Sequence, residues 1–174
     1  MYLISVYFDQ TVTQKLQNYI AEIAKRTGNH FMTDHQVPPH LTISSVEARS
    51  AEVLLPHMPV LEEKLKKIPI RFVSVGAFFP GVLYAAPLLD RPLQALSVEV
   101  YDAVEGIPEV SVHKFYRPYS WFPHVTLGKT LTKEQMREAF SVMQERFAPF
   151  EGTVVSAGLA RVNPHVDVWK MDIM

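Results

Sequence analysis

The order of hydrophobic and polar positions in the first half of the chain predicts alternating strands and helices. Short apolar runs rich in β-branched and aromatic residues predict strands, and these cover residues 2–8, 40–46, 68–78 and 82–88. Apolar residues at helical spacing predict a helix from residue 11 or 13 to about residue 26, ended by Gly28. Residues 29–37 predict an irregular approach, and residues 50–67 predict a broken helix or a pair of turns.

The second half of the chain repeats this order of elements. Helices are predicted over residues 91–105, with Pro92 in the first turn, and from an N-cap at Thr132 to about Phe147. Strands are predicted over residues 124–130, 153–162 and 166–173, and a loop over residues 113–122 precedes the first of them. The last two strands are expected to pair across a turn at Asn163-Pro164, with His165 beside it on the surface.

The two halves also share short sequence motifs. PPHLTI at residues 38–43 is nearly repeated as FPHVTL at 122–127, and FVSVG at 72–76 resembles VVSAG at 154–158. This duplication predicts an α+β fold with two lobes related by a pseudo-twofold axis. Each lobe would be an antiparallel sheet with helices on its outer face, and a central cleft would lie between them. Residues 1–174 then form one bilobal domain, with repeats over about residues 10–88 and 90–174 and a strand of uncertain lobe at residues 1–9.

Composition and charge narrow the classes of function. The chain has 174 residues, of which 48% are apolar, and its formal net charge is −1. It therefore lacks the basic excess typical of proteins that bind long duplex nucleic acid. It has no cysteine, which excludes disulfides, thiolate metal sites and a cysteine nucleophile. No signal peptide is recognisable and no apolar run approaches the roughly 20 residues that span a bilayer, so we expect a cytoplasmic protein that binds no membrane.

Histidine and threonine two positions apart share one face of a β-strand. His40 is thereby presented with Thr42, and His124 with Thr126. Two such pairs facing each other across a cleft suit phosphoryl chemistry. One imidazole can accept a proton while the other donates one, and the hydroxyls can hold non-bridging phosphate oxygens. A metal site is the alternative for the histidines, but no pattern supplies a third ligand, so we expect no metal and no other cofactor.

The first motif, HLTI at residues 40–43, and the second motif, HVTL at residues 124–127, resemble the paired His-apolar-Ser/Thr-apolar motifs of the 2H phosphoesterase superfamily. The resemblance covers almost the whole chain. GAFFPGVLYAAP at residues 76–87 makes it most similar to the bacterial RNA 2′,5′-ligase-like cyclic phosphodiesterases. The resemblance implies a metal-independent phosphodiesterase acting on nucleotide 2′,3′-cyclic phosphates or 2′,5′-type phosphodiesters. It also implies that the two motif histidines are the acid–base pair, with the second favoured as the base, and that the two motif threonines bind phosphate.

Three residues of the loop before the second motif are further candidates for substrate binding. Tyr119 and Trp121 could stack on a base, and Arg117 could pair with a phosphate. Two alternative functions stay open: an RNA-end or nucleotide binding module without turnover, and a hydrolase of cyclic nucleotides or oligonucleotides. A serine esterase is excluded because the chain has no G-x-S-x-G segment. Nothing in the sequence demands more than a monomer.

Overall fold

A computed structural model describes residues 1–162 and 166–174 of the protein. Within these residues it confirms the predicted α+β class, with eight strands in an antiparallel sheet and five α-helices. The strands are β1 (Tyr2–Phe8), β2 (Leu41–Glu47), β3 (Ile68–Phe78), β4 (Val82–Pro87), β5 (Ser111–Val112), β6 (Val125–Gly128), β7 (Phe150–Arg161) and β8 (Val166–Asp172). The helices are α1 (Gln10–Thr27), α2 (Phe31–Asp34), α3 (Pro59–Lys64), α4 (Arg91–Val104) and α5 (Lys133–Arg146). The predicted turn at Asn163-Pro164 and the predicted surface position of His165 lie outside the described residues.

Capping interactions determine where the long helices begin and end. α1 begins before the predicted residues because the Asp9 carboxylate accepts a hydrogen bond from the Val12 N–H at 2.9 Å. It ends at Gly28, whose φ of 70° lies in the left-handed region that favours glycine. The predicted start of α5 is confirmed, since Thr132 and Gln135 form a reciprocal capping box there.

The structure corrects two local predictions, at residues 29–37 and at the starts of two strands, and confirms the interrupted segment predicted over residues 50–67. The segment predicted to be irregular, residues 29–37, contains the short helix α2. The broken helix predicted over residues 50–67 consists of two 3-10 turns followed by α3. His40 and His124 each lie one residue before their strands, which begin at the following residue. β5 was not predicted, because its two residues become a strand only by pairing with β2.

The strand order in the sheet is β5-β2-β1-β7-β3-β4-β6, and β8 also pairs with β7. β7 is the long central strand, and the sheet divides at its residue Val154. Its first part pairs with β3, and its later part pairs with β1 and β8. Strands of the two predicted repeats therefore pair with each other, as β3 does with β7 and β4 with β6. The division of the chain into two repeats stays a prediction.

The helices cover one face of the sheet and leave the motif residues on the other. α4 packs on β2 and β3, and α1 packs on α5 and β6. Leu41 and Ile43 of β2 are fully buried on the helical side, where complete burial of such a side chain contributes roughly 1.5–3 kcal/mol. A slip of one residue would turn both side chains to the opposite face of the sheet and turn Thr42 towards the helices in their place. The hydrophobic core therefore determines the register that presents the motif.

Candidate active site

The two motif histidines are held in the same way. The Nδ1 atom of His40 lies 2.8 Å from the carbonyl oxygen of Pro38, and the Nδ1 atom of His124 lies 3.0 Å from that of Phe122. A carbonyl oxygen only accepts hydrogen bonds, so each Nδ1 must carry the proton that it donates. In both neutral rings the Nε2 atom is then the basic nitrogen, and in both protonated rings it is an additional donor.

A proline orients the carbonyl that each histidine uses. Pro39 and Pro123, which precede the two histidines, are buried. Proline has a fixed φ and restricts the residue before it to extended conformations, so the carbonyl two positions before the histidine has little freedom. The Pro-His dipeptide is therefore a local device that selects one tautomer, and it occurs twice in this chain.

The motif threonines occupy equivalent rows of paired residues in the sheet. Thr42 pairs with Ser5 of β1, and Ser5 pairs with Gly158 of β7. Likewise Thr126 pairs with Tyr84 of β4, and Tyr84 pairs with Gly76 of β3. The similar segments FVSVG and VVSAG thus supply the glycine of each row, but each serves the motif of the other half of the chain.

The hydroxyl of Thr42 has one partner among the described residues. Thr42 is only 7% exposed, and its Oγ1 atom accepts a hydrogen bond of 3.4 Å from the Ser5 hydroxyl. Its own hydroxyl hydrogen is not used in that bond and can be donated to another acceptor. Thr126 is half-buried. Thr126 makes no side-chain hydrogen bond with the described residues, so both hydroxyls are available as donors.

Each glycine of these rows makes room for a tyrosine ring beside a histidine. A Cβ atom at Gly76 would stand 2.5 Å from the Tyr84 hydroxyl oxygen, and one at Gly158 would stand 3.2 Å from the Tyr7 ring. The Tyr84 ring centre lies 5.6 Å from that of His124. The Tyr7 ring centre lies 6.3 Å from the other motif histidine. The glycines therefore allow an aromatic ring to pack against each imidazole.

The surroundings of His124 are strongly aromatic. An open cleft of about 490 Å³, here called the aromatic cleft, is lined by Phe78, Phe115, Tyr116, Ser120, Phe122 and His124. The ring of Phe78 meets the imidazole edge-on at 4.8 Å. Burial lowers the pKa of His124 from its ordinary value, and the hydrogen bond from Nδ1 opposes this effect. The neutral imidazole, which is the form that can accept a proton, is therefore favoured at neutral pH.

The three candidate loop residues have different surroundings. Trp121 is 4% exposed and belongs to the hydrophobic core, and its indole N–H donates to the carbonyl oxygen of Thr42 at 3.0 Å. It thus ties the segment before the second motif to the strand of the first. Tyr119 is 86% exposed. Arg117 is also exposed, and its positive charge lies close enough to Tyr101 of α4 to interact with the phenol. Ligand contact by Arg117 and Tyr119 stays a prediction.

Several residues of the site were not identified from the sequence. Tyr84, Phe78 and Phe122 surround His124, and Lys170 lies over the Tyr7 ring. The two glycines in the repeated FVSVG and VVSAG segments were the available signal, because glycine within a strand often marks close approach of another group. No similar signal marks the phenylalanines, whose pattern is equally typical of a core.

The described residues offer no ready metal site. Among residues 1–162 and 166–174, no three histidine or acidic side chains are grouped closely enough to hold a metal ion. In that same part of the chain, no helix is both long and apolar enough to cross a membrane.

Comparison with known proteins identifies relatives over most of the chain. A family model described as the 2′-5′ RNA ligase superfamily matches residues 12–165, a span that includes both motifs. An inferred phosphoesterase of Bacillus licheniformis is 24% identical over 148 residues, covering 82% of this chain and 80% of the relative. Family and relative agree with the chemistry that the motif residues suggest.

Two solved structures share the fold over nearly its full length. TT0787 of Thermus thermophilus has a TM-score of 0.65 at 16% identity, covering 99% of this chain and 97% of that chain. The apo form of E. coli LigT has a TM-score of 0.59 at 13% identity, covering 99% and 96%. LigT has also been crystallised with 3′-AMP and with phosphate. At such low sequence identities the two structures show that the fold is shared, and the comparison says nothing further about function.

Proposed function

The chain belongs to the 2′-5′ RNA ligase superfamily, and from that premise we propose that it is a metal-independent phosphodiesterase using His40 and His124 as an acid–base pair. Its substrates would be nucleotide 2′,3′-cyclic phosphates or 2′,5′-type phosphodiesters. Family membership indicates phosphoester chemistry, and the substrate and catalytic roles are our proposal. Activity on cyclic oligonucleotides is a second candidate for the same site.

One observation carries the proposal: the Nδ1 atom of each motif histidine is hydrogen-bonded to the backbone carbonyl two residues earlier. In both motifs Nδ1 donates to a backbone carbonyl, so Nε2 is the nitrogen of each neutral ring that can accept a proton. Structural histidines need no common tautomer, whereas an acid–base pair gains from one. The bond from Trp121 to Thr42 supports the prediction that the motifs share one cleft, because it joins the segments that carry them.

The roles of the two histidines follow from their surroundings. The pKa of His124 is lowered by burial, so we assign it as the base that takes a proton from the attacking water. The water oxygen bonds to phosphorus while the bond from phosphorus to the ribose oxygen breaks. His40, protonated at Nε2, donates to that departing oxygen. Thr42 and Thr126 donate to the non-bridging oxygens, where negative charge increases in the transition state.

The aromatic cleft gives the substrate a place for its base. Its volume of about 490 Å³ lies within the range of small-molecule sites, and its exposed rings suit stacking on a nucleobase. In this proposal Phe78 and Phe122 bind the base. Trp121 acts as a positioning residue, because its buried ring presents no free face. The crystallised complex of LigT with 3′-AMP agrees with a mononucleotide-sized ligand for the family fold.

The test is hydrolysis of a substrate panel in the presence of EDTA. The panel holds nucleoside 2′,3′-cyclic phosphates, 2′,5′-linked dinucleotides and cyclic dinucleotides, assayed with wild type, His40→Ala and His124→Ala. Each substitution should lower kcat by about 10²-fold or more, the size expected of acid–base catalysis. His57→Ala is the matched control, because His57 lies in a 3-10 turn outside both motifs.

Other outcomes lead to different functions. Loss of activity with EDTA would indicate a metal enzyme. Binding of nucleotides without turnover of any substrate would indicate a binding module. We further propose a monomeric, cytoplasmic protein that binds short nucleotide ligands and no long duplex. Size-exclusion chromatography with light scattering tests the first of these expectations.

A further inference from the structure

A lysine on β8 lies over the aromatic neighbour of His40. The Nζ atom of Lys170 is 4.7 Å from the centre of the Tyr7 ring. The same ring lies 6.3 Å, centre to centre, from the His40 imidazole. The ammonium group is therefore separated from the first motif by a single phenol ring, although β8 is not adjacent to β2 in the sheet.

The pairing of the strands places this lysine on the same face as the first motif. Lys170 pairs with Gly158, and Gly158 pairs with Ser5. Ser5 pairs in turn with Thr42, so the four residues form one row across four strands. Directly paired residues of antiparallel strands project from the same face. Because Gly158 has no side chain, the Tyr7 ring can lean into its place, and the lysine extends over that ring towards the motif.

The Tyr7 ring holds the ammonium group through a cation–π contact. Tyr7 is 7% exposed, and its hydroxyl has no hydrogen-bond partner among the described residues. Burial, with a smaller effect of the Asp167 charge, raises the pKa of Tyr7 to about 12. The ring therefore stays neutral and attracts the cation through its π face. Lys170 itself is exposed, and it forms no ion pair with any described carboxylate.

The second motif has no equivalent cation in its row. The row of Thr126 ends at Gly76, because β7 pairs with β3 only over Ile68–Phe72. The second motif instead borders the aromatic cleft. The two sides of the site thus differ chemically, with a cation near His40 and aromatic rings near His124.

We propose that Lys170 binds a second phosphate of the substrate, next to the reacting one on the His40 side, and that Tyr7 holds its ammonium group there. This inference rests on the proposed function. An ammonium is a point charge with three donors and suits a phosphate that is not itself transferred. The preferred substrates are then nucleotides or RNA ends that carry another phosphate beside the reacting group, rather than nucleosides with a single phosphate.

Calorimetry with adenosine 3′,5′-bisphosphate and 3′-AMP measures this preference without requiring turnover. Wild type should bind the bisphosphate about tenfold more tightly, as expected for one charge-assisted contact at a partly exposed site. Lys170→Met keeps the apolar stem over Tyr7 and should reduce the preference to about twofold or less, with 3′-AMP affinity unchanged. Lys15→Met is the matched control, since Lys15 lies at the same 4.7 Å over Phe150.

The inference is overturned if wild type does not prefer the bisphosphate. It is also overturned if Lys170→Met leaves the preference intact or weakens both ligands equally. Hydrolysis of adenosine 2′,3′-cyclic phosphate separates this failure from that of the proposed function. Hydrolysis without the preference refutes only the role of Lys170, whereas no hydrolysis and no binding of either ligand refutes both. Tyr7→Phe should keep the preference, and Tyr7→Leu should weaken it.

Discussion

Replacement of Trp121 by phenylalanine tests whether this residue joins the segments of the two motifs. The indole N–H donates to the carbonyl oxygen of Thr42 at 3.0 Å, and the side chain is 4% exposed. Phenylalanine keeps an aromatic ring in the core but removes the donor. A buried acceptor that loses its partner costs about 1–3 kcal/mol, so we expect the free energy of unfolding to fall by about 2 kcal/mol.

The change is large enough for standard measurements. For a chain of this size, 1 kcal/mol shifts Tm by roughly 2–4 °C, so Trp121→Phe should melt roughly 4–8 °C below wild type. Urea unfolding followed by circular dichroism gives the free energy directly. Trp169→Phe is the control, because Trp169 on β8 packs against the core and is partly buried but its indole N–H has no hydrogen bond with the described residues. We also expect kcat to fall, because the strand that carries Thr42 loses a constraint.

Two results would contradict this role of Trp121. A free energy of unfolding equal to that of wild type would mean that the bond to Thr42 contributes nothing. A rise in KM that depends on the identity of the base, without loss of stability, would mean that Trp121 stacks on the substrate. That second result would restore the role that the loop sequence predicts.

Three further predictions concern the environment of the second motif. Because burial lowers the pKa of His124 below its ordinary 6.5, the unfolded chain binds a proton below that pH more readily than the folded chain. The associated stability is fully present above pH 6.5 and is lost as the pH falls. Urea titrations from pH 5 to 7.5 should show a smaller loss of unfolding free energy in His124→Asn than in wild type. The same dependence of unfolding free energy on pH in both proteins would contradict this prediction. Gly76→Ala puts a Cβ atom 2.5 Å from the Tyr84 hydroxyl oxygen, so the ring must move, and activity should fall by on the order of 10²-fold; an unchanged kcat/KM would show that the ring does not support catalysis. Thr126→Val removes one donor to the phosphate and should lower kcat by about 10²–10³-fold with little change in KM; steady-state kinetics that match wild type would remove this threonine from the mechanism.

The order of residues along the chain was enough to predict the local elements and to locate the two motifs. Short apolar runs rich in β-branched and aromatic residues located the long strands to within a few residues, because the preference of these residues for strands is a local property. Thr132 and Gly28 marked helix ends for equally local reasons. The Pro-His pattern indicated two similar sites, and the hydrogen bonds of both imidazoles are made within two residues of the chain.

The residues that surround those motifs come from distant parts of the chain and were found only in the folded protein. Gly158 lies in the row of Thr42, Trp121 is buried against the same strand, and Lys170 reaches over Tyr7. Each of these contacts joins residues far apart in the chain, so none changes the local alternation of hydrophobic and polar positions. An aromatic residue in a loop has the same pattern whether it packs inward or faces a ligand. Its role is set by the free energy of the whole sheet and its helices, which selects one pairing of strands.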